Sequence, residues 1–329
     1  MQFKRNLVLI ALLLWSARAV SSSDISYQEV SLAKLRPEAS LATLLDSDQP
    51  SRAMEVGQDG ALRILGQSFL WKWYPLTGSV SRVGLSQIGL GDRDSRADLG
   101  IIGSDTFVFS DRRLHVVDIE NGRTKSFSSV LSKDCKRAKF VSTGNVSLLV
   151  LTCGIFKIDL QNLKLVKLES ENALSFDNLL APSDCSCVVS SKGKEIYRHD
   201  LVDGGRLVSR TLYSAKAQVG GLDLVGGRLA VWTSRTLLSI DLNDGQLKEV
   251  VPTGGGRRVK AAGFSEGVHV FLFADGVMEL YDPLARKAYA TSYKVTDNAK
   301  FIMDPGSAFA IVVSENAYEV LGLDGLGRG

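Results

Sequence analysis

One short motif recurs five times along the chain: LHVVD at 114–118, IFKID at 155–159, EIYRHD at 195–200, LLSID at 237–241 and VMELYD at 277–282. Each copy ends in an aspartate, and consecutive aspartates are 41 residues apart: Asp118, Asp159, Asp200, Asp241 and Asp282. A fixed period of about 40 to 45 residues is the length of one four-stranded propeller blade. The spacing therefore predicts an all-β array of blades.

Each repeat divides into four short apolar runs. The repeat that contains LLSID shows the division at 221–225, 228–234, 237–242 and 246–251. The runs are rich in Val, Ile and Leu and are separated by Gly, Asp and Asn, as strands joined by tight turns are. The same layout along the chain predicts a seven-bladed β-propeller at 51–329, whose last blade lacks a fourth strand of its own.

The N-terminus predicts a secretory signal peptide at 1–19. Lys4 and Arg5 precede nine apolar residues at 7–15, and Ala17-Arg18-Ala19 offers small residues for cleavage. The alternative is a signal anchor, but a bilayer core needs about 20 apolar residues. No later segment is long and apolar enough to span, so we expect no membrane span after cleavage.

The leader at 20–50 offers the missing strand. Its segment 25–32 (ISYQEVSL) alternates in part between apolar and polar residues and belongs to no repeat. We expect it to pair as the outermost strand of the last blade and to close the ring, which removes an exposed sheet edge. The alternatives are a leader without a strand, with the ring closed by packing alone, and a chain that is the front part of a longer protein.

Four cysteines in an exported chain predict disulfides. Cys135 and Cys153 are centred on Gly144, so a hairpin there would place them opposite each other. Cys185 and Cys187 either close a small ring or stay free, and four cysteines permit three connectivities. Asn145-Val146-Ser147 on the same turn is a glycosylation sequon. These features favour the secretory pathway (ER lumen or secreted) or the periplasm.

The recurrent aspartate predicts a structural role. An aspartate before a tight turn accepts hydrogen bonds from backbone N–H groups two residues on. Glycine follows four residues later in three repeats, at Gly122, Gly204 and Gly245. Five such sites on separate blades would not converge on one substrate, so we expect neither a metal nor a catalytic role for them.

The sequence offers no recognisable catalytic, cofactor or metal site. None of the three histidines has a His, Cys or carboxylate partner at a spacing typical of metal sites; they are His115, His199 and His269. The glycine run at 254–256 joins two blades and does not open a helix, which favours a loop over a nucleotide site. Removal of three signal-peptide cations leaves 36 basic against 36 acidic residues, which argues against nucleic acid.

The loops divide by charge. Those joining strands one to two and three to four share one face, and they carry mainly acids: Asp59, Asp105, Glu120, Asp184, Asp203, Asp244, Glu266, Asp304 and Asp324, with Arg286 as the main base. The opposite loops carry Arg112, Arg113, Lys133, Lys192, Lys194, Lys216, Arg235, Arg257 and Arg258, diluted by Asp92, Asp94, Asp111, Glu169 and Asp275. We expect one acidic face and one mixed, mildly basic face.

The repeat (apolar strand, Asp, two or three residues, Gly, apolar strand) resembles that of quinoprotein-type, or PQQ-like, propellers. A signal peptide followed by such a propeller is also similar to the luminal propeller of the first subunit of the endoplasmic-reticulum membrane protein complex and to a bacterial outer-membrane assembly lipoprotein. The resemblance implies a seven- or eight-bladed fold and a role as a platform in membrane-protein biogenesis.

Three classes of function follow. The favoured one is a non-enzymatic platform that binds a protein partner through a loop face and needs no cofactor. The alternative is a propeller enzyme (a hydrolase, a lyase or a quinoprotein-type oxidoreductase) with its site in the central channel. A propeller lectin would repeat one aromatic residue in every blade, whereas Trp71, Trp73 and Trp232 do not repeat in that way.

Overall fold

A computed structural model describes residues 26–30, 33–40, 50–57, 59–90, 97–143, 146–170, 176–182, 185–202, 205–225, 227–253, 257–265, 268–283, 285–295, 300–303, 309–313 and 317–323. These residues form strands β1 to β30 and a single 3₁₀ turn at Ser86–Ile88, without an α-helix. The strands belong to seven sheets. Five sheets have four strands, and two have a fifth strand at the edge. The fold is therefore the predicted all-β propeller of four-stranded blades.

Each blade extends outward from an innermost strand beside the central channel. In this outward order, blades one to three contain β3 (Pro50–Val56), β4 (Leu62–Gly66), β5 (Phe69–Trp73) and β6 (Val80–Gly84); β7 (Asp98–Ile102), β8 (Asp105–Ser110), β9 (Arg113–Asp118) and β10 (Arg123–Ser126); β11 (Lys139–Thr143), β12 (Val146–Leu151), β13 (Gly154–Asp159) and β14 (Lys164–Lys167). Blades four and five contain β16 (Asn178–Leu180), β17 (Cys187–Lys192), β18 (Glu195–Val202), β19 (Arg206–Ser214) and the short parallel β15 (Glu169–Ser170); β20 (Val219–Val225), β21 (Arg228–Thr233), β22 (Thr236–Asp241) and β23 (Leu247–Pro252). Blades six and seven contain β24 (Val259–Ser265), β25 (Val268–Phe273), β26 (Val277–Asp282), β27 (Lys287–Lys294) and β1 (Ser26–Val30); β28 (Lys300–Met303), β29 (Phe309–Val313), β30 (Ala317–Gly322) and β2 (Ala33–Ser40).

The N-terminal strand pairing confirms ring closure and corrects the segment that performs it. β2 pairs antiparallel with β30, from Ala33 opposite Gly322 to Ser40 opposite Ala317, and completes the last blade. The predicted closing strand at 25–32 was wrong: its β1 runs parallel to β27 and adds a fifth strand to blade six. β2 contains Pro37, which the outermost strand of a sheet tolerates, and its pairing with β30 shifts register on either side of Arg36.

The hydrophobic core is distributed around the ring. Seven buried clusters each join two consecutive blades, and one of them joins the last blade to the first. In that cluster the rings of Trp73 and Tyr318 meet edge to face, with centroids 4.4 Å apart. β28 of blade seven also contacts β3 of blade one. Each blade is thus held mainly by its two neighbours, as expected of a closed array of modules.

The two disulfides lie at different places in the ring: Cys135 and Cys153 pack in the cluster between blades two and three, and Cys185 and Cys187 in the cluster between blades four and five. The predicted pair Cys135 and Cys153 is bonded, with Cα atoms 4.8 Å apart, and β11 and β12 form the expected hairpin. Cys185 and Cys187 are also bonded, which selects one of the three possible connectivities. Asn145 lies outside the described residues, so its glycosylation stays a prediction.

The turn after the third strand explains the recurrent glycine. Four residues after the repeat aspartate, the backbone has positive φ wherever the structure describes it: 61° at Gly122, 50° at Leu163, 74° at Gly245 and 52° at Arg286. Glycine adopts such angles without a steric penalty, whereas other residues do so at a cost of about 1 kcal/mol. The turn therefore requires a positive φ at this position, and glycine is the residue that adopts it without strain.

Two of these glycines form a matched pair of substitutions. A Cβ at position 245 would stand 2.1 Å from the carbonyl oxygen of Leu212, whereas at position 122 it would meet nothing closer than Val83 at 3.7 Å. We expect Gly122→Ala to lower the free energy of unfolding by about 1 kcal/mol, from backbone strain alone. Gly245→Ala should cost about 2 kcal/mol, because the clash adds to the strain. If chemical denaturation gives the two variants the same loss of unfolding free energy, the clash with the Leu212 carbonyl oxygen is relieved by a small shift of the backbone and adds no cost.

Candidate functional site

The corner aspartates, which we define as the five repeat aspartates, lie on the third strands of blades two to six, and all but Asp200 are the last residue of the strand. Asp118 accepts hydrogen bonds from the backbone N–H of Asn121 (3.1 Å) and from its side-chain amide (2.8 Å). Three others accept from a backbone N–H in the same way: Asp159 from Asn162 (3.0 Å), Asp241 from Asn243 (2.9 Å) and Asp282 from Ala285 (2.9 Å). These contacts hold the pKa of Asp118, Asp159 and Asp241 below its ordinary range.

Asp200 departs from this pattern. Its carboxylate binds the guanidinium of Arg198, with Nε at 2.8 Å and Nη2 at 2.7 Å. Arg198 in turn donates to the carbonyl oxygen of Leu242 at 2.9 Å, across the boundary with blade five. Asp200 therefore holds an inter-blade arginine, and the five corners lie on five different blades without converging on one site.

The histidines are buried in the blades. His199 is bonded at both ring nitrogens, to Ser190 at 2.8 Å and to Ser209 at 2.7 Å. Burial lowers its pKa to about 4, so the ring is neutral at physiological pH. His115 contacts Ser126 at 3.0 Å, and His269 lies between blades five and six. Within the described part of the chain, no three His, Cys, Asp or Glu side chains are grouped to hold a metal ion.

The central channel carries charged groups that the sequence did not single out. Glu55 on β3 and Lys139 on β11 are accessible side chains on innermost strands. Desolvation by the surrounding protein raises the pKa of Glu55 even though its side chain keeps access to solvent, and the charge of Lys139 opposes that shift. Two other acids lie on or beside innermost strands: Asp177 accepts the backbone N–H of Gly193 at 2.8 Å, and Asp223 lies on β20. A raised carboxyl pKa in a channel is a common property of functional sites.

The corner face, which we define as the face formed by the loops between strands one and two and between strands three and four, keeps many of its acids in ion pairs. Lys72 lies between Asp59 at 3.4 Å and Glu120 at 2.7 Å. Asp241 pairs with Lys248 at 3.8 Å. The predicted acids of this face at 184, 203, 266, 304 and 324 lie outside the described residues.

The opposite face, which we call the cationic face, exposes most of its cations: Arg112, Arg113, Lys133, Lys136, Arg137, Lys192, Lys194, Lys216, Arg235 and Arg258, with Arg257 half-buried. Lys136 and Arg137 belong to it although the sequence did not place them there. Three of its acids accept backbone N–H groups: Asp98 from Ala138 (2.7 Å), Asp177 from Gly193 (2.8 Å) and Asp275 from Val277 (3.2 Å).

A cleft of about 610 Å³ opens on the cationic face between blades two and three, and its lining combines four cations with three acids: Arg112, Lys133, Lys136 and Arg137, and Asp98, Asp111 and Asp134. Arg112 and Arg137 both have positive φ, 63° and 55°. A non-glycine residue there costs about 1 kcal/mol or more, and such strain persists where the surroundings or the function require the conformation. The cleft has the size of a ligand pocket, and its mixed lining offers both cations and acids to a partner.

Comparison with known proteins gives the fold. No family model matches this chain, and no curated protein matches it. The solved structure of YCF48 bound to D1 peptide is similar, with a TM-score of 0.66, 9% sequence identity, and coverage of 93% of this chain and 100% of that chain. The computationally designed Ika8 protein is similar with a TM-score of 0.55, 16% identity, and coverage of 82% and 83%. At these identities the likeness shows the propeller fold alone.

Proposed function

We propose that this propeller is a non-enzymatic platform of the secretory pathway or the periplasm whose cationic face binds an acidic segment of a protein partner. The observation that carries the proposal is the difference in ion pairing between the two faces. Among the described cations of the cationic face, Arg257 alone forms ion pairs, with Asp275 and Glu279. Exposed, unpaired charges of one sign steer an oppositely charged partner and set the specificity of binding.

The disulfides support the proposed compartment. Both cysteine pairs are oxidised, and disulfides persist in oxidising compartments such as the ER lumen, the exterior and the periplasm. In the described residues, no helix has the length and apolar character needed to cross a bilayer. The disulfides, together with the predicted signal peptide at 1–19, support an extracytoplasmic location.

The finer assignment extends the same proposal. The 41-residue repeat supports membership of the quinoprotein-type propellers, and the predicted export supports a place in a membrane-protein biogenesis complex. The YCF48 structure contains a bound peptide, so a propeller of this general shape can hold a polypeptide segment.

The second candidate is an enzyme with its site in the central channel. It rests on Glu55, whose pKa is raised by desolvation, and on Lys139 of a nearby innermost strand. A carboxyl group with a raised pKa is suited to general acid–base chemistry near neutral pH. An experiment that tests the platform proposal must therefore also measure whether the protein converts a small-molecule substrate.

Face-selective charge reversal separates these functions. The cationic-face variant carries Arg113→Glu, Lys194→Glu and Arg235→Glu, and the matched control carries Asp105→Lys, Glu120→Lys and Asp244→Lys on the corner face. The mature protein and both variants, checked for equal thermal stability, are used to capture partners from the native compartment for quantitative mass spectrometry. We expect the cationic-face variant to recover at least about tenfold less partner, because each exposed pair contributes up to about 1 kcal/mol. Recovery by the native protein should fall with added salt.

Two outcomes would overturn the proposal. If the corner-face variant loses the partner while the cationic-face variant keeps it, the binding surface is on the other side of the ring. If the native protein captures no stable partner and instead converts a small molecule in a way that depends on Glu55, the channel enzyme replaces the platform.

A further inference from the structure

The disulfide between Cys185 and Cys187 lies on the corner face, where the first strand of blade four turns into the second. Its cysteines are 2 residues apart, so the ring encloses Ser186 alone. A disulfide stabilises a fold mainly by constraining the unfolded chain, and the gain is smallest for the shortest loop. The bond also connects no separate elements, because both cysteines belong to the start of β17. Stability therefore does not account for this disulfide.

The other blades act as internal controls for the two cysteines. At the spacing of 41 residues, every position that matches 185 is a glycine: Gly103, Gly144, Gly226 and Gly267. The positions that match 187 are unrelated in type: Asp105, Val146, Arg228 and His269. Glycine suits the turn, since φ is 62° at Gly103. The repeat thus requires neither cysteine, and blade four alone among these five carries the pair.

The short ring favours reduction of the bond. It contains two peptide units, and both are trans and planar, so few bonds of the ring can rotate. A ring of this size cannot relax fully around its sulfur atoms, whereas the loop between Cys135 and Cys153 spans 18 residues. Strained disulfides are reduced more easily, and they are the ones that serve regulation or catalysis.

The backbone around the disulfide is held by contacts that do not involve sulfur. Thr143, which is 0% exposed at the end of β11 in blade three, donates its hydroxyl to the carbonyl oxygen of Cys185. The same hydroxyl oxygen accepts the backbone N–H of Cys187 at 3.1 Å. The carbonyl oxygen of Ser186 accepts the N–H of Leu201 at 2.9 Å. These bonds remain when the disulfide is reduced, so the two thiols stay close enough to reoxidise.

The two sulfur atoms differ in access. Cys187 is 0% exposed and packs in the cluster between blades four and five, whereas Cys185 is half-buried beside the exposed Ser186. Exchange begins when a thiolate attacks one sulfur of a disulfide, and access decides which sulfur is attacked. An incoming thiolate therefore reaches Cys185, and Cys187 is the leaving group.

We propose that the Cys185–Cys187 disulfide is a thiol–disulfide exchange site that oxidises a dithiol of a partner protein. A partner thiolate forms a bond to Sγ of Cys185, and the bond between the two cysteines breaks. Its electron pair stays on Sγ of Cys187, which takes up a proton. The second partner thiolate then attacks the first partner sulfur, and Cys185 leaves and is protonated. The partner gains a disulfide and this protein gains two thiols, so two electrons and two protons have moved.

This exchange goes beyond the proposed platform function and does not depend on it. The disulfide is on the corner face, whereas the proposed partner segment binds the cationic face. Loss of binding at the cationic face would leave the exchange site intact, and the reverse also holds.

The first test uses dithiothreitol, a dithiol, as the probe. The mature native protein is equilibrated with one molar equivalent under non-denaturing conditions, quenched in acid and alkylated. Peptide mass spectrometry then gives the reduced fraction of each cysteine pair. We expect at least about tenfold more reduction at Cys185–Cys187 than at Cys135–Cys153, because exchange-active and structural disulfides differ by more than this in their equilibria. The Cys135–Cys153 pair is the internal control.

The second test identifies the attacked sulfur. Cys187→Ala leaves the thiol of Cys185, and the matched variant Cys185→Ala leaves the thiol of Cys187. Each variant, shown to be folded by circular dichroism, is incubated with oxidised glutathione, and the mixed disulfide is followed by mass spectrometry. We expect the adduct at Cys185 to form at least about tenfold faster than the adduct at Cys187, because access governs the rate of exchange.

Three results would overturn the inference. The first is equal or greater reduction of Cys135–Cys153 by the limiting dithiol. The second is a Cys185–Cys187 bond that resists the dithiol until the protein is unfolded. The third is adduct formation at equal rates in the two variants, which would remove the assigned entry point. The first two outcomes are measured on the native chain, so they do not depend on the folding of any variant.

Discussion

Asp59→Asn should lower the free energy of unfolding by about 3 kcal/mol, because it removes the counter-ion of a buried arginine. Arg63 is 1% exposed, and its guanidinium binds the Asp59 carboxylate, with Nη2 2.8 Å from Oδ2. The carbonyl oxygen of Ala61 accepts a further hydrogen bond at 2.9 Å. Asparagine has almost the same volume as aspartate, so the loss would report the charge and not the packing.

Glu120→Gln is the matched control for that prediction. Glu120 is also an acid of the corner face and also pairs with a cation, Lys72, at 2.7 Å, but its side chain is 57% exposed. Exposed ion pairs contribute about 0.2–1 kcal/mol, so we expect a loss of about 0.5 kcal/mol or less in urea unfolding. Similar losses for the two variants would mean that the Arg63 cation is solvated in the folded protein.

The same pair predicts a pH dependence. Burial opposes ionisation of Asp59, but hydrogen bonds and the charge of Arg63 outweigh burial and lower its pKa from 3.8. A depressed folded-state pKa gives stability that is present above the unfolded value and is lost as the pH falls through the folded value. The stability difference between native protein and Asp59→Asn should therefore narrow below pH 3.8. A difference that stays constant into strong acid would contradict this assignment.

Removal of the Cys135–Cys153 disulfide should cost about 3 kcal/mol, mainly because the bond closes a long loop in the unfolded chain. The two cysteines are 18 residues apart in sequence, whereas Cys185 and Cys187 are 2 apart. The double alanine variant at 185 and 187 is the control, since its ring encloses almost no chain. Cys135 and Cys187 are both buried, so each variant loses some packing and the difference reports loop closure. Equal losses in thermal unfolding would show that packing, not chain connectivity, is the main contribution.

The repeat made the fold predictable because it fixes the end of each third strand and the turn after it. The hydrophobic runs, the corner aspartates and the glycines four residues later all follow from that local geometry. The closing strand did not follow, because strand pairing at an edge depends on which blades are adjacent. Segment 25–32 alternates in part, but its strand β1 pairs with blade six, while β2 at 33–40 pairs with blade seven. Asp200 also departs from its repeat because an arginine two residues away competes for its carboxylate.

The candidate binding features were only partly predictable. The sequence placed most cations of the cationic face on the correct loops, but whether a charge is paired depends on contacts between blades, as Lys72 with Glu120 illustrates.

Hydrogen exchange of the captured complex tests the central claim most directly, because it maps the partner onto one face without any substitution. Compared with the free protein, the complex should show slower exchange in the loops of the cationic face, at 111–113, 192–194 and 234–235. The corner turns at 119–122 and 242–246 should exchange at unchanged rates. Protection confined to the corner turns, with none at the cationic loops, would contradict the account.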